Sequence, residues 1–146
     1  MPTPQNFKNH TRWDPPFHFF VGPMLLLNFI FSIWFTIRHW PAHLHVDIWW
    51  ILMSIVLFVM AGNLRSAALR AQDRIIRLEE RLRLAALLPP ADRPHIDELT
   101  IKQLIALRFA SDAELPALVH KTLTQNLEPK AIKESITTWR PDYDRV

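Results

Sequence analysis

Hydrophobic and polar positions fall into three regimes along the chain. Phe17 to Ile37, FHFFVGPMLLLNFIFSIWFTI, is apolar and carries no Asp, Glu, Lys or Arg. At helical rise its 21 or so residues cover roughly 30 Å, the thickness of a bilayer's hydrocarbon core, so the pattern predicts a membrane span. A second apolar run, Val46 to Leu64, passes without a breaker into the amphipathic stretch Arg65 to Leu88. No proline and one glycine, Gly62, interrupt these two segments, which predicts one continuous helix of roughly 65 Å ending at Pro89-Pro90. In the third regime, His95 to Val146, the aromatic richness of the spans is gone and the apolar positions come in short periodic groups.

Within the amphipathic stretch Leu64, Ala68, Ala71, Ile75, Leu78, Leu82 and Ala85 alternate spacings of four and three. That is a heptad seam of about three repeats, suited to burying one helix against another. Asp73–Arg77 and Glu79–Arg83 read as i,i+4 pairs in the acid-first order, each worth about 0.2–0.5 kcal/mol. Arg65, Arg70, Arg74, Arg77 and Arg81 form a basic face that an anionic inner leaflet would attract.

Inside the first span Asn28, Ser32 and Thr36 recur every four residues and so share a face. A polar stripe in lipid is unfavourable unless it meets protein, so it should face Ser54 of the second span or a neighbouring subunit. Pro15 and Pro16 suit a helix start, and Pro23 should kink the first turns. The connection Arg38 to His45 is short enough to make the spans an antiparallel hairpin, with Trp34, Trp40, Trp49 and Trp50 as an interfacial belt. Basic residues are sparse in that turn and concentrated in the flanks, where Lys8, Arg12 and the arginines after Leu64 lie, so the positive-inside rule places both termini in the cytoplasm.

Segment by segment, residues 1–16 read as an N-terminal arm, 17–37 as span one, 38–45 as the outer turn and 46–64 as span two. Residues 65–88 are the stalk, 89–94 a proline-rich linker and 95–146 a small three-helix domain. The expected fold class is therefore all-α: a transmembrane hairpin, a stalk and a small helical domain. The domain's helices should cover roughly Leu99 to Phe109, a second opened by a Ser111–Glu114 capping box, and a third from Pro129 with Ile132, Ile136 and Trp139 on one side. About fifty residues bury too little apolar surface alone, so this domain should pack on the stalk or on a copy of itself.

Composition narrows the chemistry. The chain has 146 residues, 49% of them hydrophobic, and a formal net charge of +3. Zero cysteines exclude disulfides and thiolate metal sites, and two glycines leave no material for a phosphate-cradling loop. His39, His43, His45 and Asp47 form a ligand-like cluster for a transition metal in the turn, although Pro41 interrupts any helix that would align them. His10, Arg12, Asp14 and His18 could act as acid and base, or Asp14 could pair with Arg65 or Arg70 and dock the arm on the long helix. The C-terminal domain carries seven basic against eight acidic residues, too little positive charge for nucleic-acid binding.

The strings QNFKNHTRWDPPFHF, QDRIIRLEERLRL and LIALRFASDAELPALV, with WRPDYDRV at the end, resemble a family of short bacterial two-span membrane proteins of unknown function. The resemblance spans nearly the whole chain. It implies a bacterial inner-membrane protein and no activity, and it supplies no catalytic residues. Taken together, the sequence points to a non-enzymatic anchor, scaffold or accessory subunit without a cofactor. Its partners would be membrane lipids and either itself or a larger membrane complex. A small oligomeric channel lined by the polar stripe and a metal site in the turn are the alternatives.

Overall fold

A computed structural model describes residues 5–10 and 13–142. Arg12, of the basic N-terminal flank, and Tyr143 to Val146, of the charged tail, lie outside the described residues. The described chain is all-helical: a π-helical turn Pro16–Val21 leads into α1 (Gly22–Arg38), followed by α2 (Leu44–Leu87), a 3-10 helix (Arg93–Glu98), α3 (Ile101–Leu107), α4 (Leu115–Gln125) and α5 (Pro129–Ser135). Two compact units result, one of Trp13–Leu69 and one that joins the described part of Met1–Arg12 to Arg70–Val146.

In the first unit, Pro23 explains the π turn. Proline has no N–H to bond the preceding turn, and the neighbouring Gly22 N–H reaches back five residues to the Phe17 carbonyl. The apolar run then continues as a regular α-helix to Arg38. The connection contains a cis Trp40–Pro41 bond, and α2 starts at Leu44. Pro16–Arg38 and Leu44–Leu87 are both long and apolar enough to cross a membrane.

In the second unit α2 supplies one wall of a core. Leu84 and Leu88 join Ile96, Leu99, Leu104, Leu107, Phe109, Leu115, Val119 and Ile132 in one buried cluster. The helix ends where expected, before Pro89-Pro90, and Arg93 Nε donates to the Leu88 carbonyl at 3.1 Å. The proline linker is partly ordered as the 3-10 helix.

Two local expectations are corrected. The capping box lies at Thr100–Gln103, where each side chain bonds the other's backbone N–H, and it opens α3 at Ile101. Ser111–Glu114 is a turn before α4, and only the Glu114 half of a box forms, a carboxylate oxygen 3.2 Å from Ser111 N. Glu114 also accepts from Thr137 and Thr138, so it ties that turn to the segment after α5. Trp139 is not on the third helix: α5 stops at Ser135, Ile136 is extended, and Trp139 forms an antiparallel bridge with Ala110. A helix carried on to Trp139 would have needed Ile136 to keep helical torsions, and its φ −73°, ψ 124° does not.

Residues 5–10 belong to this unit. Gln5 and Asp142 exchange hydrogen bonds, Gln5 Nε2 to the Asp142 carbonyl at 3.0 Å and Asp142 N to Gln5 Oε1 at 2.9 Å. His10 lies 5.8 Å from the Phe109 ring and 5.7 Å from Trp139, and Lys133 Nζ donates to its Nε2 at 3.1 Å.

Candidate functional site

The part of α2 beyond Arg70 has two faces with different fates. Ile76, Glu80, Leu84 and Leu88, spaced by four, are buried against the unit's own core. At 3.6 residues per turn the heptad seam lies about 160° away around the helix. There Ile75, Leu78 and Leu82 are 57%, 62% and 64% exposed, and Ala71 and Ala85 are exposed beside them. Leu64 is also exposed, and Ala68 is partly covered. The structure therefore covers a face that the periodicity did not single out and leaves the seam open. The covered face was hidden in the sequence because a glutamate stands in its middle.

Glu80 is tolerated there because three arginines surround it. Arg83 Nη1 is 3.1 Å from Glu80 Oε2, Arg140 Nη1 is 3.8 Å from Oε1, and Arg108 lies within electrostatic reach. Burial still dominates and pushes the Glu80 carboxyl above its ordinary value, against the lowering effect of Arg83, Arg140 and Arg108. Arg83 is shared: its Nη2 donates to the Ala110 carbonyl at 2.7 Å and meets Asp112 Oδ1 at 2.5 Å. The expected Glu79–Arg83 pair is thus replaced by Glu80 and Asp112, because Arg83 points toward the buried face. No ion pair joins Asp73 to Arg77 among the described residues.

The basic face is only partly free. Arg65 pairs with Asp14 at 2.9 Å and lies over the Phe17 ring, so the expected docking of Asp14 on the long helix occurs through Arg65. Arg81 pairs with Asp97 at 2.7 Å. Arg70, Arg74 and Arg77 are exposed.

In the first unit the structure brings Asn28, Ser32 and Ser54 together. Asn28 Nδ2 donates to Ser54 Oγ at 2.7 Å, and the Ser32 and Ser54 hydroxyls are 3.2 Å apart. Each hydroxyl also has a carbonyl four residues earlier: Ser32 bonds Asn28, Thr36 bonds Ser32 and Ser54 bonds Trp50. The stripe thus faces α2 of the same chain and its polar groups serve helix packing.

The four residues expected around a metal are not gathered into one group, although His43 and Asp47 line the same cleft. His39 stacks on Phe35 with ring centres 4.0 Å apart and donates from Nδ1 to the Phe35 carbonyl. His43 and His45 are exposed, and Asp47 is buried. Among the described residues no three His, Asp or Glu side chains are grouped so as to hold a metal ion. The reason is the turn: α2 begins only at Leu44, so the histidines sit on different turns and sides of the chain. His18 likewise bonds the Asp14 carbonyl at 2.9 Å, and His10 belongs to the other unit.

Residues 1–146 match the model of a family of unknown function, DUF6526, and the chain belongs to that family. No curated protein and no solved structure matches it.

Proposed function

We propose that the protein is a non-enzymatic membrane-anchored scaffold that self-associates through its heptad seam as a parallel dimer. The observation that carries this reading is the open seam, Ile75, Leu78 and Leu82, opposite a face already committed to the chain's own core. An apolar stripe of this kind has nothing further to pack on within the unit, which favours a partner.

The flanking charges favour a second copy. With Ile75 and Leu82 at a positions and Leu78 at d, Arg74 falls at g and Glu79 at the following e. In a parallel in-register pair Arg74 of one helix faces Glu79 of the other, twice by symmetry. An antiparallel pair would set Arg against Arg and Glu against Glu. Neither residue makes an ion pair within the chain among the described residues. Ile75 at a with Leu78 at d, the centre of the seam, also suits two strands.

Anchoring rests on the two apolar helices. Only 6% and 11% of their most apolar windows are buried, whereas the core helix of a water-soluble protein would be largely covered. Residues 5–10 and the C-terminal segments belong to one unit that flanks both helices in sequence. Two crossings return the chain to its starting side, which agrees with that placement. The arginine-rich flanks favour the cytoplasm for it, and the family resemblance favours a bacterial inner membrane as the site.

The test is Ile75→Asp combined with Leu78→Asp, sized by native mass spectrometry after mild detergent extraction. Both side chains are exposed, so the fold should survive and the dimer should dissociate. A dimer that persists, or a wild type that is monomeric in its own lipids, would overturn the reading.

A further inference from the structure

Asp47 is the buried ionisable group in the apolar unit that no packing role explains. It sits in the first turn of α2, is only 4% exposed, and its Oδ2 has no hydrogen-bond partner. No ion pair reaches it among the described residues. A carboxylate removed from water without a partner is costly, and such groups are normally compensated by a cation or by donors.

The residue stands in the wall of a cleft of about 520 Å³ within the same unit. Phe31, Phe35, Trp50 and the imidazole of His43 form much of the remaining wall, and among the described residues no arginine or lysine contributes to it. The volume lies in the range of small-molecule sites, about 300–1,000 Å³. Asn28 and Ser32 line it too, and Asn28 donates to Ser54 Oγ beside it.

We infer that this cleft binds an organic ammonium ion, with the Asp47 carboxylate as its counter-charge and the faces of Phe31, Phe35 and Trp50 around it. A carboxylate plus aromatic rings suits an ammonium cation, primary or quaternary, which gains from the opposite charge and the ring quadrupoles without needing a full set of oxygen ligands. A transition metal would need several nitrogen or oxygen donors converging on it, and no such group of three exists here among the described residues. Ammonium groups of this kind come from two sources, the headgroup of an aminophospholipid or a free amine.

The test uses the full chain in nanodiscs and two probes, phosphatidylethanolamine and tetramethylammonium chloride, with phosphatidylglycerol as the lipid control. Native mass spectrometry reads lipid retention, and quenching of tryptophan fluorescence reads the free cation. The wild type should hold at least one probe selectively. Asp47→Asn should weaken it by about tenfold or more, Trp50→Leu should weaken it as well, and Asp47→Glu should retain most of it. Retention of the lipid alone assigns a membrane source, and tetramethylammonium alone a soluble amine. A wild type that holds neither probe overturns the proposal, as do Asp47→Asn and Trp50→Leu variants that bind like the wild type. Trp50→Leu keeps the answer accessible should Asp47→Asn fail to fold. The same spectra give the oligomer mass, and Ile75→Asp should keep the ammonium adduct, so failure of the dimer and failure of this site are told apart.

Discussion

Arg83 leaves α2 to lie 2.5 Å from Asp112, while its other nitrogen stays 3.1 Å from Glu80, three residues before it on the same helix. One guanidinium thus fastens the long helix to the turn before α4 and neutralises a buried acid. Replacing Arg83 by Met keeps much of the apolar stem but leaves Glu80 with a weaker counter-charge and the Ala110 carbonyl without that donor. Breaking a buried pair from one side costs about 3–5 kcal/mol. The expected outcome is a drop of roughly 10 °C or more in melting temperature, followed by circular dichroism in detergent. A double variant, Arg83→Met with Glu80→Met, should recover part of it. If Arg83→Met melts with the wild type, the network is ornamental.

Two leucines two residues apart on α2 should behave differently. Leu84 is fully buried in the core, and Leu82 is exposed on the seam. Leu84→Ala should destabilise the unit by about 2–5 kcal/mol, the range for a core cavity. Leu82→Ala should leave the monomer's melting nearly unchanged and shorten the lifetime of the dimer. Hydrogen exchange in α3 and α4 reads the first effect, and dilution followed by mass measurement reads the second.

The parallel register is open to cross-linking because the chain has no native cysteine. Ala85→Cys places a thiol at a d position toward one end of the seam. In a parallel in-register dimer two such thiols face each other and should form a disulfide rapidly under mild oxidation. An antiparallel pair centred on Leu78 would set position 85 against position 71 and give little product. Arg74→Glu should weaken the dimer, and adding Glu79→Arg should restore it.

Acid should loosen the second unit through two carboxyls. The hydrogen bond and charge of Arg83 hold Asp112 below its ordinary 3.8. Burial raises Glu114, but hydrogen bonds from Thr137, Ser111 and Thr138 outweigh it and hold the carboxyl below its ordinary 4.5. A carboxyl whose folded pKa is depressed adds stability above its unfolded value, and that stability is lost as pH falls through the folded one. Glu80 acts in the other direction: with its folded pKa raised by burial, its contribution favours folding at low pH and fades as pH rises above 4.5. Melting temperature should therefore fall on acidification below about pH 4.5, and Glu114→Gln should flatten that limb. A variant with the wild-type slope would show that Glu114 is not responsible.

The sequence made the helices legible where one physical signal ruled. Pro89-Pro90 ended α2, Pro23 disturbed the start of α1, and the spacing of Asn28, Ser32 and Thr36 predicted a face that meets Ser54. Where signals competed, the reading was incomplete. Ile76, Leu84 and Leu88 were overshadowed by the more regular seam, since Glu80 interrupts their stripe and its arginine partners come from distant segments. Asp47 stood next to three histidines, which suggested ligation, but its side chain is buried in a cleft that only His43 of the three shares. The pairing of Gln5 with Asp142 has no local signature, because residues 137 positions apart leave no periodicity to find.

That last pairing orders events during synthesis. Gln5 is added to the chain 137 residues before Asp142, which at about 5–20 residues per second is a wait of order ten seconds. Both apolar helices are translated within that interval. On the membrane reading, insertion therefore precedes closure of the N-terminal segment onto its unit, and a chain stalled before Asp142 would be anchored but unclosed.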